Sequence, residues 1–295
     1  VIINPKYDGT KFIGETDDLD GTDYILVDDA LLRKLISQGD HTFKCTTLVT
    51  NMKDLFLNKN VAESISHWDV SQVTTMQNMF AESNFNRPIG DWDVSSVTNM
   101  WSMFDGASSF NQDISGWEVG QVTNMDYMFS RASAFNQPID KWDVSQVTKM
   151  FQMFNGASSF NQDISGWEVG NVTDMGSMFE NATSFNQDLS SWDVDRVIGM
   201  ASMFRGATSF NQDLSSWDVD RVTGMGYMFE NATSFNQDLS GWNVGQCRSM
   251  EKMFKGASRF DQDLSDWDVG NVRACKEFAN TLADSKQPNF TNCTK

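Results

Sequence analysis

The chain has 295 residues, with 22 Lys and Arg against 40 Asp and Glu, for a formal net charge of −18. So acidic a surface repels the phosphates of nucleic acid and of anionic lipid, which disfavours both as partners. The only histidines, His41 and His67, exclude a multi-histidine metal site, and no apolar run is long enough to span a bilayer.

The chain begins at Val1, as a processed or trimmed product would, so a missing leader says nothing about secretion. Residues 1–43 read as an N-terminal cap. Tyr24-Ile25-Leu26-Val27 has strand character, and Asp28 or Asp29 can cap a helix through residues 30–36 that ends near Gly39. The stretch Asp17-Asp18-Leu19-Asp20-Gly21 fails as an EF-hand, since position one would be Thr16 and position twelve Val27. It reads as an exposed acidic turn.

Residues 44–282 repeat. Trp recurs at 68, 92, 117, 142, 167, 192, 217, 242 and 267, spaced 24 once and 25 thereafter. Methionines follow the same period in i, i+3 pairs, from Met76/Met79 to Met250/Met253. One unit reads Ile114-x-x-Trp117-x-Val119-x-x-Val122-Thr123-x-Met125-x-x-Met128-Phe129, then Phe135-Asn136-x-x-Ile139. The apolar spacing of 3, 2 and 3 is that of leucine-rich repeats, with Trp in a Leu slot. Trp117 and Val119 share one face of a short strand, whereas Met125, Met128 and Phe129 share one face of a helical turn with Thr123 as its N-cap. No unit can bury its own apolar residues, so neighbours must stack. The expected fold class is therefore an α/β solenoid: a leucine-rich-repeat-like, right-handed stack of about ten coils with an N-terminal cap. The divergent segments 49–56 and 269–278 are its end coils, and residues 283–295 form a C-terminal tail.

The recurring Met-Phe-x-x-Ala-x-x-Phe-Asn-Gln-Asp-Ile/Leu-Ser-x-Trp-Asp-Val-x-x-Val-Thr-x-Met resembles the BspA-like, mycoplasma-lipoprotein type of leucine-rich repeat. The lead-in through Val27, Asp28 and Leu31–Ile36 is similar to the segment that precedes such repeats. That resemblance implies an extracellular or cell-surface protein with an adhesion or binding role.

The slot inside Trp-x-Val holds Asp69, Asp93, Glu118, Asp143, Glu168, Asp193, Asp218, Asn243 and Asp268. On a presumed concave sheet this is a ladder of carboxylates about 4.8 Å apart. It either binds cations such as calcium, a basic protein or a glycan, or it is satisfied internally by Ser hydroxyls and backbone N–H groups. No other cofactor is indicated. Another slot holds Asp113, Asp163, Asp188, Asp213, Asp238 and Asp263, with Pro88 and Pro138 elsewhere, which marks a turn needing no backbone N–H. The Asn86 to Asn236 column reads as an internal amide ladder. Trp101, Tyr127 and Phe151 fall in three consecutive coils on the presumed convex side, as an interface patch or an ordinary surface. Five sequons start at Asn171, Asn181, Asn231, Asn289 and Asn292. Asn181 and Asn231 also occupy a slot that Gly holds in other coils, where left-handed backbone is wanted.

Cys247 and Cys275 both point inward. Either Cys247–Cys275 or Cys275–Cys293 can pair, or the thiols stay reduced, and Cys45 is too distant to join them. No catalytic motif is present, and Cys45 with His67 is the only conceivable nucleophile–base pair. The expectation is a non-enzymatic binding or adhesion module that uses its acidic face on a protein or glycan. The rival is a subunit docking into a larger assembly through the aromatic patch. Ice or mineral binding ranks below both, because the repeated strand face lacks Thr ladders.

Overall fold

The computed structural model describes residues 16–19, 22–25, 27–39 and 48–293. Strand β1 (Thr16–Leu19) pairs antiparallel with β2 (Thr22–Ile25), two residues earlier than the strand expected at 24–27. Helix α1 (Asp29–Ser37) follows. The Asp28 carboxylate accepts the Leu31 N–H at 2.8 Å, the N-cap bond, and the backbone turns left-handed at Gly39 (φ +77°). Buried Leu32 and Ile36 join the same core as Val49 and Met52. Asp29 accepts the N–H groups of Thr50 and Asn51 at 2.8 and 3.1 Å, and Arg33 donates to the Lys53 carbonyl at 3.0 Å. The helix is thus tied to the first repeat. Asp20, Gly21 and Cys45 lie outside the described residues.

Successive repeats lie one on another, but neither the strand nor the helical turn is where the spacing put it. Among the described residues of the repeats there is no helix, and the segment Trp-x-Val makes no ladder bonds with its neighbours. The Met-x-x-Met-Phe segment is instead a pair of turns whose alternate N–H groups bond to the next coil. Met76, Asn78, Phe80 and Glu82 donate to the carbonyls of Asn99, Trp101, Met103 and Asp105 at 2.7–3.0 Å. The intervening Met79, Ala81 and Ser83 donate three residues back, at 3.1–3.2 Å. Isolated parallel bridges run through the preceding residue, as in Thr75↔Asn99↔Asn124↔Lys149. A single helical turn is costly to nucleate and would point every N–H along its own axis. The turn satisfies the same i, i+3, i+4 burial while directing half its donors to the neighbour.

That geometry requires positive φ twice per coil. Asn78, Ser102, Tyr127, Gln152, Ser177, Ser202, Tyr227 and Lys252 have φ of 52–63°. With the i+3 to i bond, this is the type II turn pattern. The second left-handed position holds Glu82, Gly106, Arg131, Gly156, Asn181, Gly206, Asn231 and Gly256. The expected left-handed backbone at Asn181 and Asn231 is present, although no helix precedes it.

The interior is filled by aromatic columns. Phe80 to Phe254 stack coil by coil at 5.4–5.7 Å between centroids. A second column, Phe85 to Phe260, repeats at 5.9–6.4 Å. The indole pairs 117/142, 167/192, 217/242 and 242/267 lie 6.4–6.5 Å apart with planes within 6°. Each indole N–H from Trp92 to Trp267 donates to the Ile or Leu carbonyl of the preceding coil at 2.9–3.3 Å. The acidic face lies on the tryptophan side of the stack, where no sheet forms, and the aromatic trio lies on the side where backbone bonds link the coils.

Return turns are held by side chains. Each Asn Oδ1 from Asn86 to Asn211 accepts the N–H of the Asn one coil on, at 2.8–3.0 Å. A Gln amide reaches the same oxygen, as Gln162 does on Asn136 at 3.0 Å. This is the expected amide ladder, except that it lies at the surface and not inside. In the Asp113 column each carboxylate accepts the N–H of the Ser two residues on, at 2.8–3.0 Å. The chain ends in a 3-10 turn (Asp284–Lys286), a Phe290 ring edge-on to Phe278 at 5.1 Å, and a Cys275–Cys293 disulfide. Of the open pairings this one forms. Cys247 is a free, buried thiol pushed up to about 11 by desolvation.

Phe154→Ala removes a ring packed 5.7 Å from Phe129, 5.7 Å from Phe179 and 4.1 Å from Phe160. Urea denaturation is expected to show a loss of about 3–5 kcal/mol. Asp113, Asp163, Asp188 and Asp238 are held below the usual carboxylate range, chiefly by the Ser backbone N–H and then by the Ser hydroxyl. Since their folded pKa values lie below the unfolded ones, their stabilisation is complete above the ordinary carboxylate range and vanishes as pH falls through the folded values. Melting temperature should drop on that acid limb, and Asp163→Asn, which keeps the acceptor, should make the drop shallower.

Candidate functional site

The acidic column is exposed along the tryptophan-side face, apart from half-buried Asp69. Most of its members are also structural. The carboxylates of Asp69, Asp93, Asp143, Asp193, Asp218 and Asp268 each accept the N–H two residues on, at 3.0–3.2 Å, and Asn243 does so at 3.3 Å. These are Asx turns, which Asp and Asn reach and Glu, one methylene longer, does not. Asp143 is held below the usual carboxylate range, first by the Ser145 hydroxyl and then by its N–H.

Glu118 and Glu168 make no such turn, and both sit in the sequence Gly-Trp-Glu-Val-Gly, two coils apart. The small flanking residues open the surface there. One trough, of about 430 Å³, is lined by Ser95, Gly116, Glu118, Gly120, Lys141 and Asp143. Another, of about 640 Å³, is lined by Ser145, Gly166, Glu168, Gly170, Asp193 and Arg196, with Asp195 at its edge. A Cβ on Gly120 would stand 3.2 Å from Asp143 Oδ2, and one on Gly170 3.0 Å from Asp193 Oδ2. Glycine therefore leaves room for the second oxygen of each Asp, which a side chain there would crowd. The coil carrying Asp143 and Ser145 is the wall between the two. The walls also bear cations: Lys141 in the first, and in the second Arg196, which donates to Asn171 Oδ1 at 2.8 Å.

Trp101, Tyr127 and Phe151 are brought together on the bonded side, half-buried and edge to face at 6.1 and 5.4 Å. Beside them Asp126 accepts the Phe151 N–H at 2.8 Å, and burial raises its carboxyl pKa. Of the sequons, Asn171 and Asn292 spend their side-chain N–H groups on the Ser145 and Gly270 carbonyls, at 2.8 and 2.7 Å. Asn181 and Asn231 are exposed.

Two features escaped the sequence reading. The Thr assigned as an N-cap forms a surface ladder: Thr98 N–H bonds to the Thr74 carbonyl at 2.9 Å, and its hydroxyl reaches the same oxygen at 3.2 Å. Thr123 and Thr148 repeat the pattern. A Thr ladder is thus present, on the bonded side, and Ile198, 47% exposed, interrupts it. The recurrence of Val-Thr was its only signal. The second feature is the pair Arg205 and Lys252 around Tyr227. Among the described residues no group of three His, Cys, Asp or Glu could hold a metal ion, and no helix is long and apolar enough to cross a membrane.

Comparison with curated proteins and with solved structures returns no match. One family model matches the chain three times in overlapping segments, at residues 41–137, 114–208 and 188–292. These segments span most of the sequence, and the chain therefore belongs to the family described as Mycoplasma protein of unknown function, DUF285.

Proposed function

We propose that the protein is a non-enzymatic binding or adhesion module, extracellular or at the cell surface, built as a right-handed solenoid of the BspA-like leucine-rich-repeat kind. Its binding surface is the acidic tryptophan-side face. The observation that carries this reading is that Glu118 and Glu168 are spared the turn bonds that occupy their Asp counterparts. Each lines a trough together with an Asp of the next coil, Asp143 in the first and Asp193 in the second.

The ligand that suits this face is a basic protein segment in extended conformation. Each coil presents one carboxylate or its Asn243 replacement at the same slot, and successive coils present them in a line. An extended strand puts alternate side chains on one face. A Lys or Arg at every second residue would therefore line its cations along that column. A glycan is less well served, because the tryptophans here are 3–5% exposed from Trp92 to Trp267 and offer no ring to a sugar.

The double variant Glu118→Gln/Glu168→Gln is expected to bind a labelled (Lys-Ser)n peptide at least fivefold more weakly by fluorescence anisotropy, with an unchanged melting temperature. Wild-type affinity in that variant would remove the reading. Salt should weaken the wild-type interaction, as for any exposed charge pairing.

A further inference from the structure

Tyr127 and Tyr227 occupy the same slot four repeats apart, and both are left-handed, with φ of 60° and 63°. Their surroundings differ in a way that amounts to an internal comparison. At Tyr227 the chain supplies its own cations. The Arg205 guanidinium carbon lies 5.5 Å from the ring centroid, and Lys252 Nζ lies 5.2 Å from it. The equivalent positions around Tyr127 are Asp105 and Gln152. Where Tyr227 has Ala201 and Glu251 beside it, Tyr127 has Trp101 and Phe151, at 6.1 and 5.4 Å and nearly perpendicular to its ring. The Phe151 ring in turn lies over Gly176, where a Cβ would come within 3.0 Å.

This corner is rich in ring surface and in negative charge. Burial raises the Tyr127 phenol pKa, and the carboxylates of Asp126, Asp105 and Asp174 add to the effect. Two cations are nearby. Arg131 is committed to Asp105 at 2.9 Å and to Glu82 at 2.5 Å, and Lys149 acts on Asp126. Among the described residues no cation is recorded over the Tyr127 ring. The parallel bridges also pause beside it, running Asn124↔Lys149 and resuming at Asp174↔Gly199.

We propose that the Trp101–Tyr127–Phe151 corner is a docking seat for an arginine side chain of a partner protein, which fills from outside the place that Arg205 and Lys252 fill at Tyr227. Aromatic faces attract a cation through their quadrupole. Arginine fits better than lysine because its planar guanidinium stacks on rings while its edge bonds carboxylates, here Asp126 and Asp174. The seat lies on the bonded side of the stack, away from the troughs of the acidic face, and does not depend on the function proposed for them.

The test measures anisotropy of a labelled Gly-Gly-Arg-Gly-Gly peptide against its citrulline counterpart, on protein carrying Glu118→Gln/Glu168→Gln so that the acidic-face site is removed, at about 0.15 M salt. The arginine peptide should bind and the citrulline peptide should not. Asp105→Arg/Gln152→Lys installs the Tyr227 arrangement and should weaken binding at least fivefold. Tyr127→Ser/Phe151→Ala should do the same. Ser already stands in the first of these slots at Ser102 and Ala in the second at Ala201, so the turn tolerates both. Failure of the arginine peptide to bind in that background, or equal affinity with and without the seat substitutions, would overturn the proposal. Binding to wild type but not to the Glu118→Gln/Glu168→Gln protein would overturn it too, while leaving the acidic-face reading intact.

Discussion

The structure depends on one arrangement of hydrogen bonds: alternate N–H groups of each Met-Phe turn donate to carbonyls of the next coil, and the intervening ones donate three residues back. Neither set alone would be enough. Bonds within the coil close the turn but leave neighbours unlinked. Bonds between coils link neighbours but need the turn to aim its donors along the stack. Both sets are satisfied only if two residues per coil adopt positive φ, and the sequence accepts that strain at Tyr, Lys, Gln and Ser as well as at Gly. A non-glycine residue there is destabilised by about 1 kcal/mol relative to ordinary backbone. Repetition offsets this, because each strained turn positions a Met and a Phe in columns that bury almost completely.

The same bonds determine which side of the molecule is open. Where backbone links backbone, coils are held at sheet-like separation. Where only side chains meet, neighbours are joined by ring packing, with indole centroids 6.4–6.5 Å apart, and by one indole N–H per coil. Position also decides how charge is tolerated. The like-charge column on the tryptophan side is exposed to water, whose high dielectric keeps repulsion between neighbours small. On the bonded side charges are paired instead, as in Arg205 between Glu180 and Glu230 at 3.2 and 2.6 Å.

The burial pattern was fully legible in the sequence, because a 25-residue period of Trp, Met and Phe has no other use than to fill a column. Helix α1 was equally legible from Asp28 and Gly39, since capping is local chemistry. The turn was not. Apolar residues at i, i+3 and i+4 fit a helical turn and a stacked type II turn alike, and only the destination of the backbone donors separates them. The strand expected at Trp-x-Val is absent for the same reason, because the segment that bridges its neighbours is the one whose donors point along the stack. Cys275 pairs with Cys293 and not Cys247, a choice made by the path of the tail, which residue spacing cannot express. Of the candidate surfaces, the acidic column was visible as a column. Its division into bonded Asp and unbonded Glu required seeing the turn that only the shorter side chain can complete.

In a molecule built by copying, departures from the copy carry the information. Asp143 and Glu168 look interchangeable as charges, yet one carboxylate completes an Asx turn and the other faces a trough. Tyr127 and Tyr227 look interchangeable as residues, yet one ring is covered by the chain's own cations and the other is surrounded by aromatics and acids. In each pair the backbone slot is the same, so stability gives little reason for the difference. A substitution that keeps the slot's structural duty serves the fold. One that abandons it, as Glu118 and Glu168 do, or that removes partners the slot has elsewhere, as Asp105 and Gln152 do, leaves chemistry that the fold does not consume. Both departures lie in the central coils, away from the capped ends, where neighbours on each side hold the slot and a change of side chain need not alter the backbone.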